Sequence, residues 1–328
     1  MKTVLLTGAN GFLGGHVCRE LLRRNYAVRA LVRDGTDQRA LDGLAVDVWS
    51  GDLRDPTSVR AAAYGCDYVI HAGARAQVNP ARSQAVVDVN INGTAAVLTA
   101  AVQVGVERLV FVGTANVFGF GSRQKPGDEL CPYMGSRYGS DYMDSKRVAT
   151  DLVLQAGRKD GLPVVLVHPT FMIGPLDYRI TSNALLLAVY RQKIAGVPRG
   201  GKNYVHVADV ATATVNALTM GRLGESYIVG HENLSYQEAF GLMATIMHVR
   251  PPRLPLPPLV ARAIGLAGDL TTKLTGRLAP VNSSMTAVAN DGHYFSVTKA
   301  LDELDLPQTP VRVAIDEAFR WFRQQGHL

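Results

Sequence analysis

The sequence is poor in cysteine and in long apolar runs. Its three cysteines, Cys18, Cys66 and Cys131, are odd in number, far apart and without a CxxC pair. That argues against a disulfide framework and a thiolate zinc site, so no metal is expected; the thiols read as core residues in a reducing, cytoplasmic compartment. No charged leader, apolar segment and cleavage site come before KTVLLTGANG, and no signal peptide is expected. The most apolar late stretch, 254–270, is broken by prolines and carries Arg262 and Asp269, so it is too short and too punctuated for stable membrane insertion. No basic stripe with interleaved aromatics occurs, which argues against a nucleic-acid partner. With 47% apolar and 19% charged residues, the composition is that of a folded globular chain, and 328 residues suffice for one large or two small domains. A net charge of +6 points to an anionic ligand, for which a phosphate-bearing cofactor is the simplest explanation.

The first half alternates apolar β-type runs with helical patterns, the signature of a parallel sheet with crossover helices. Strands are predicted at 3–8, 27–33, 45–51, 68–73, 108–114 and 163–169. Helices are predicted at 15–24, 56–64, 85–104 and 142–159. After Pro169 the rhythm changes: a helical run at 182–196, a short strand and helix over 204–218, a strand at 226–231, then mostly helical sequence punctuated by proline. The last helix carries Thr309 as N-cap, Pro310 at its first position, and an apolar stripe of Val311, Ile315, Phe319 and Phe322. The predicted architecture is α/β, a Rossmann-type doubly wound parallel sheet with a smaller, mainly helical, discontinuous C-terminal substrate domain. The dinucleotide-binding domain would take 1–175 and 204–231, the substrate domain 176–203 and 232–328.

TGANGFLG follows the first strand and opens the first helix. Gly8 allows the tight turn, Gly11 lets the backbone approach a pyrophosphate, and Gly14 allows close helix–strand packing, with the helix N-terminus offering free N–H groups. At the end of the second strand an acid would bond the ribose 2′-hydroxyl, whereas an arginine accommodates a 2′-phosphate. The sequence reads ALVRDG, with Arg33 at the deciding position and Arg39 near enough to add a second phosphate contact. NADP(H) is therefore preferred, with NAD(H) possible should Asp34 swing back to the ribose. Further on, YMDSK places Tyr142 and Lys146 four apart on one helix face. By itself the pair reads either as helix surface or as an acid beside the cation that lowers its pKa. His71 reads as a satisfied structural histidine, and His206 with Asp209 as a structural signature.

Taken in order, TGxxGxxG, GDL (51–53), HAGA (71–74), NINGT (90–94), GTANVFG (113–119), YMDSK and HPTFMIGP (168–175) resemble the extended short-chain dehydrogenase/reductase family over nearly the whole chain. The resemblance implies a catalytic group of Thr114, Tyr142 and Lys146. It implies cofactor contacts from Gly8, Asn10, Gly11, Phe12, Leu13 and Gly14, with Asp52 and Leu53 flanking the adenine. Ala72, Gly73 and Ala74 would line the ribose and phosphates, and Asn90 would support the active-site helix or a water. Pro169, Phe171, Met172 and Ile173 would lie by the nicotinamide, with Val112 a further cofactor contact. Asn116, two residues after Thr114, reads by its place in the sequence equally as facing the substrate or not. Met143, Asp144 and Ser145 read as spacers. A phenol near pKa 10 is a poor base at neutral pH, and an ammonium beside it stabilises the phenolate. Tyr142 could then give a proton to a carbonyl oxygen as hydride arrives, or remove one in reverse, while Thr114 holds that oxygen.

Within the family, VRALVRDG, YVHVADVA and the C-terminal tail lean toward dihydroflavonol-4-reductase-like, 3β-hydroxysteroid dehydrogenase-like and hopanoid-associated epimerase-like members. Gly119 falls near the place of the substrate-contacting Asn of dihydroflavonol reductases, so flavonoid specificity is not expected. The segment 254–295 reads as a cover for an apolar or aromatic substrate. The reading is an NADP(H)-dependent oxidoreductase acting on the carbonyl or secondary alcohol of a lipophilic or aromatic small molecule. An NAD(P)-dependent nucleotide-sugar epimerase/dehydratase and a non-catalytic NADP(H)-sensing protein are the alternatives. No basic cluster in the second domain is evident in sequence to hold a nucleotide diphosphate. The resemblance also implies a homodimer packed through 85–104 and 142–159.

Overall fold

The structure, a computed structural model, describes all 328 residues. The main sheet comprises β1 (Thr3–Thr7), β2 (Ala27–Val32), β3 (Asp47–Ser50), β4 (Tyr68–His71), β5 (Arg108–Val112), β6 (Val164–Pro169) and, much later in the chain, β9 (Ser226–Val229). All pairings are parallel in the order β3-β2-β1-β4-β5-β6-β9. The central strands are apolar on consecutive residues because helices cover both faces. Helices α1 (Phe12–Arg23), α7 (Val207–Asn216) and α11 (Thr298–Leu304) close one face around Val17, Leu21, Val210 and Leu304. Helices α2 (Pro56–Ala63), α4 (Gly93–Val104) and α5 (Asp141–Lys159) close the other around Val59, Val97 and Val153.

A second, four-stranded sheet is formed by β7 (Phe171–Ile173), β8 (Gly201–His206), β10 (Glu232–Ser235) and β11 (Gly292–His293). Strand β8 pairs antiparallel with β10 on one side, and on the other with β7 and then β11. Helices α6 (Ala184–Tyr190), α8 (Tyr236–Ile246) and α12 (Val311–Gln324) pack on it through Leu186, Phe240, Ile315 and Phe322. The remaining helices are the four-residue α3 (Gln84–Val87), α9 (Pro258–Thr275) and α10 (Ser283–Asn290).

Several sequence expectations change. The predicted boundary at 204 cuts through β8, which belongs to the second sheet, while α11 returns to the core of the main sheet. The second lobe is mainly helical, as expected, but it also carries β10 and β11, which are too short to show any period in the sequence. The helix predicted over 85–104 is interrupted by a π-turn at Asp88–Asn92, and 182–196 is helical only over α6. Thr309 does not cap α12: Pro310 holds that position, and the Thr309 hydroxyl and N–H both donate to Asp209, at 2.8 Å each. Cys18 and Cys66 are core thiols, but Cys131 is only half-buried, beside Asp128.

Candidate active site

The carboxyl ends of β1, β2 and β4 form the dinucleotide end of the crevice. Gly8 has φ 72°, and a Cβ there would come within 2.7 Å of the Gly73 backbone. At Gly14 a Cβ would lie 2.0 Å from the Gly8 carbonyl oxygen, so only glycine lets α1 sit this close to β1. Gly11 is the N-cap of α1 without a side-chain cap, and the first turn carries no acid. Its N–H groups therefore face the crevice as an anion site of the kind a pyrophosphate takes, and these residues fit a dinucleotide. Phe12 and Leu13 pack into the core behind the turn. Asn10 donates to Thr36 (2.9 Å) and to the Asp37 carbonyl (2.9 Å), tying the glycine turn to the loop after β2.

In that loop Arg33 is exposed and makes no ion pair, while Asp34 accepts a 2.5 Å hydrogen bond from the Ser50 hydroxyl. Arg39 is held differently from the sequence expectation, paired with Asp37 at 2.6 Å and stacked 4.8 Å over Tyr178. Asp52 is paired with Arg54, whose guanidinium draws its carboxyl below the ordinary value. Leu53 wedges between Gly73 and Gly93, where added Cβ atoms would lie 2.7 and 3.0 Å from its side chain. Ala72 and Ala74 follow β4 on either side of Gly73. His71 is fully occupied by Thr7 (2.7 Å) and Thr94 (3.0 Å), and burial pulls it down to about 3, so it is a neutral structural residue.

The other end of the crevice brings β5 and α5 together. Thr114, just past β5, is 8% exposed. Tyr142, a half-buried residue, lies beside it: burial pushes the phenol up, and the neighbouring Thr114 hydroxyl opposes the shift. One turn along α5, Lys146 is 3% exposed, donates to the Val112 carbonyl at 2.7 Å and lies 4.4 Å over the Phe111 ring. No carboxylate faces it, and burial lowers it to about 7. Burial thus opposes charge on both groups.

The three residues between them are not mere spacers. Ser145, 1% exposed, accepts from Asn90 at 3.0 Å, while Asp144 accepts from the Tyr133 hydroxyl at 2.7 Å and Met143 is buried. Asn90 sits in the π-turn and its Oδ1 also accepts from the Arg75 N–H at 2.8 Å. Its side chain therefore braces α5 rather than reaching into the crevice, and the helix irregularity is what aims it.

Beyond Thr114 lies a cavity of about 50 Å³, walled by Ala115, Asn116, Pro169, Thr170, Phe171, Lys202, Asn203, His293 and Phe295. On β7, Met172 packs against the core of the main sheet and Ile173 is buried in the core of the second lobe. Asn116 bonds His293 (3.1 Å), which in turn meets the Tyr138 hydroxyl (3.3 Å). Lys202, His293 and Tyr138 carried no local motif in the sequence, and only the strand pairings β8–β11 and β7–β8 bring the first two to the site.

The sequence profile of the NAD dependent epimerase/dehydratase family matches residues 4–230. The chain belongs to this family, the extended short-chain dehydrogenases/reductases. This family member is 32% identical to sterol demethylase protein B of Methylococcus capsulatus, over 99% of this chain and 100% of that one. It is 27% identical to cinnamoyl-CoA reductase 1 of Oryza sativa subsp. japonica, over 100% and 92%. Among solved structures gox2253 superimposes with a TM-score of 0.88 at 30% identity, covering 100% of both chains. A nicotinamide-dependent oxidoreductase or epimerase of the extended type is the activity class these likenesses support.

Proposed function

We propose that this protein is an NADP(H)-preferring reductase/dehydrogenase acting on the carbonyl or secondary alcohol of a lipophilic or aromatic small molecule. The observation that carries the reading is the meeting of Thr114, Tyr142 and an unpaired, buried Lys146 at one end of a crevice whose other end is a glycine-rich helix N-terminus. A bound nicotinamide supplies or accepts the hydride. Thr114 holds the substrate oxygen, and Tyr142 gives that oxygen its proton, or removes it in reverse. Lys146, as an ammonium, favours the phenolate once Tyr142 has released its proton. Phe171, Phe295 and Pro169 favour an apolar or aromatic body on the substrate. For the cofactor, Arg33 is free to take a 2′-phosphate while Asp34 is held by Ser50.

The purified protein, tested on a panel of ketones, aldehydes and secondary alcohols with both cofactor pairs, should turn over with NADPH in preference to NADH. Tyr142→Phe should lower turnover by roughly 10²–10⁴-fold with cofactor affinity nearly intact. Full activity in that variant would sink the mechanism, and a tenfold advantage for NADH would remove the role given to Arg33.

Lys202 supports a second reading. It lines the cavity next to Thr114 without an ion pair, 5.3 Å over the Phe171 ring, and burial lowers it to about 8. A cation there suits an anionic group, and a nucleotide-sugar epimerase would use it. Cofactor retained through purification, together with isomerisation of a nucleotide sugar without net oxidation, would decide for this reading.

A further inference from the structure

Helix α9 is inverted relative to an ordinary surface helix. Its packed side consists of small residues, Ala261, Gly265, Gly268 and Thr272, which at 100° per residue share an arc of about 60°. Cβ atoms at Gly265 and Gly268 would lie 2.5 Å from the Thr286 hydroxyl and 2.0 Å from the Val281 carbonyl oxygen, so this side is seated tightly on and beside α10. The opposite arc, about 80° wide by the same geometry, holds Leu259, Leu266, Leu270 and Leu274. They are 81%, 55%, 56% and 76% exposed. Leu254 and Leu278, beyond the two ends, are 73% and 54% exposed. A contiguous apolar stripe of this kind is uncommon on a lone soluble domain and marks a docking surface.

The charges say what docks. Arg262 and Lys273 edge the stripe, Arg253 and Arg277 lie beyond its ends, and all four are exposed and outside every ion pair of the chain. Asp269 is the one acid on the helix. A second copy on this face would bring like charges together, whereas an anionic lipid surface would pair with them. The helix carries too many charges to cross a bilayer, but leucines flanked by Arg and Lys suit one lying in the interface plane. We infer that α9 docks this protein on the surface of an anionic lipid bilayer.

The docking stands whichever substrate is turned over, yet it has a consequence for access. Behind the stripe lies a cavity of about 490 Å³, walled by Leu259, Arg262 and Leu266 of α9, Ala287 of α10 and Tyr138. Tyr138 meets His293, which walls the small cavity at Thr114. A lipophilic molecule held in that bilayer surface would thus meet the crevice from the membrane side.

The test is co-sedimentation of the full chain with phosphatidylcholine vesicles, with and without phosphatidylglycerol. Binding is expected to the anionic vesicles and to weaken with salt. The double variant Leu266→Gln/Leu270→Gln should lose more than about tenfold in apparent affinity. Arg262→Gln/Lys273→Gln should lose a similar factor, at about 1 kcal/mol per cation. Circular dichroism melting should leave both double variants folded. Failure of the wild type to bind either vesicle, or binding unchanged by the leucine pair, would overturn the inference. So would light scattering that shows a dimer dissolved by the leucine pair without any vesicle binding, since the face would then belong to a second copy.

Discussion

Helices α5 and α9 break the same rule in opposite directions. Along α5 the inward face carries Ser145, Lys146 and Thr150, all at most 3% exposed, whereas along α9 the outward face carries leucines more than half exposed. Long charged side chains are rarely buried without a partner, and leucines are rarely lined up in water. Each departure has a stability cost that packing elsewhere must offset, and each sits where a ligand would explain it. The difference is instructive: α5 is locked from three sides, by the Val112 carbonyl, by Asn90 and by the sheet, while α9 touches the body along one narrow arc of small residues. A reactive group needs a fixed position, and a docking face needs only to be presented.

The largest expected effect tests whether Lys146 is a burden accepted for chemistry. The unfolded chain keeps the ammonium proton up to about 10.5, while the folded chain releases it near 7. Stability should therefore rise as pH climbs from about 7 to about 10.5, by up to about 1.4 kcal/mol per unit. Lys146→Met removes the buried charge and leaves the Val112 carbonyl unpaired, which takes back about 1–3 kcal/mol. The variant should be more stable than the wild type by about 2 kcal/mol at pH 6, with the advantage lost and reversed toward pH 10, as urea unfolding at the two pH values would measure. Turnover should fall by roughly 10²–10⁴-fold. A variant less stable at every pH would show that Lys146 is a structural asset, and the contrast with α9 would lose one side.

Next in size comes the brace behind α5. Asn90→Ala removes the donor to the Ser145 hydroxyl and the acceptor of the Arg75 N–H, at about 1–3 kcal/mol. If the brace fixes Tyr142 and Lys146, kcat should drop roughly tenfold to a hundredfold with KM for the cofactor little changed. Thermal unfolding and steady-state kinetics together separate the two effects. A loss of stability with kcat intact would make the π-turn a packing feature only.

Much of this site was legible in the sequence because its signals are local. The glycines of 8–14, the strand rhythm and the four-residue step from Tyr142 to Lys146 each lie within one element and carry their own period. What escaped depends on contacts far apart in the chain. Asn90 meets Ser145 across 55 residues, and Asn116 meets His293 across 177. Lys202 reaches the Thr114 cavity on a strand whose partners are two to four residues long. The segment 254–295 shows a different limit. Its composition suggested a cover over an apolar substrate, and Leu259 and Leu266 do wall a cavity. Which arc of α9 faces inward is set by the small residues, however, and hydrophobicity alone points the helix the wrong way round.

The smallest expected effect is the sharpest test of that orientation, because it sets two positions of one helix against each other. Gly265→Val places a Cβ 2.5 Å from the Thr286 hydroxyl and 2.8 Å from the Ser283 Cα, where backbone cannot give way, and should cost about 1–3 kcal/mol. Leu270→Gln, 56% exposed on the far side, should change stability in lipid-free buffer by no more than about 0.5 kcal/mol. Losing a leucine usually costs far more than losing a glycine, so the inverted ranking in thermal unfolding would be a signature of leucines facing outward. If Leu270→Gln instead destabilised by more than about 1 kcal/mol, that leucine would have a protein partner and the stripe would be core. If the ranking holds, the same glutamine that costs nothing in buffer should be the one that weakens vesicle binding, which assigns the leucine to an occupant outside the fold.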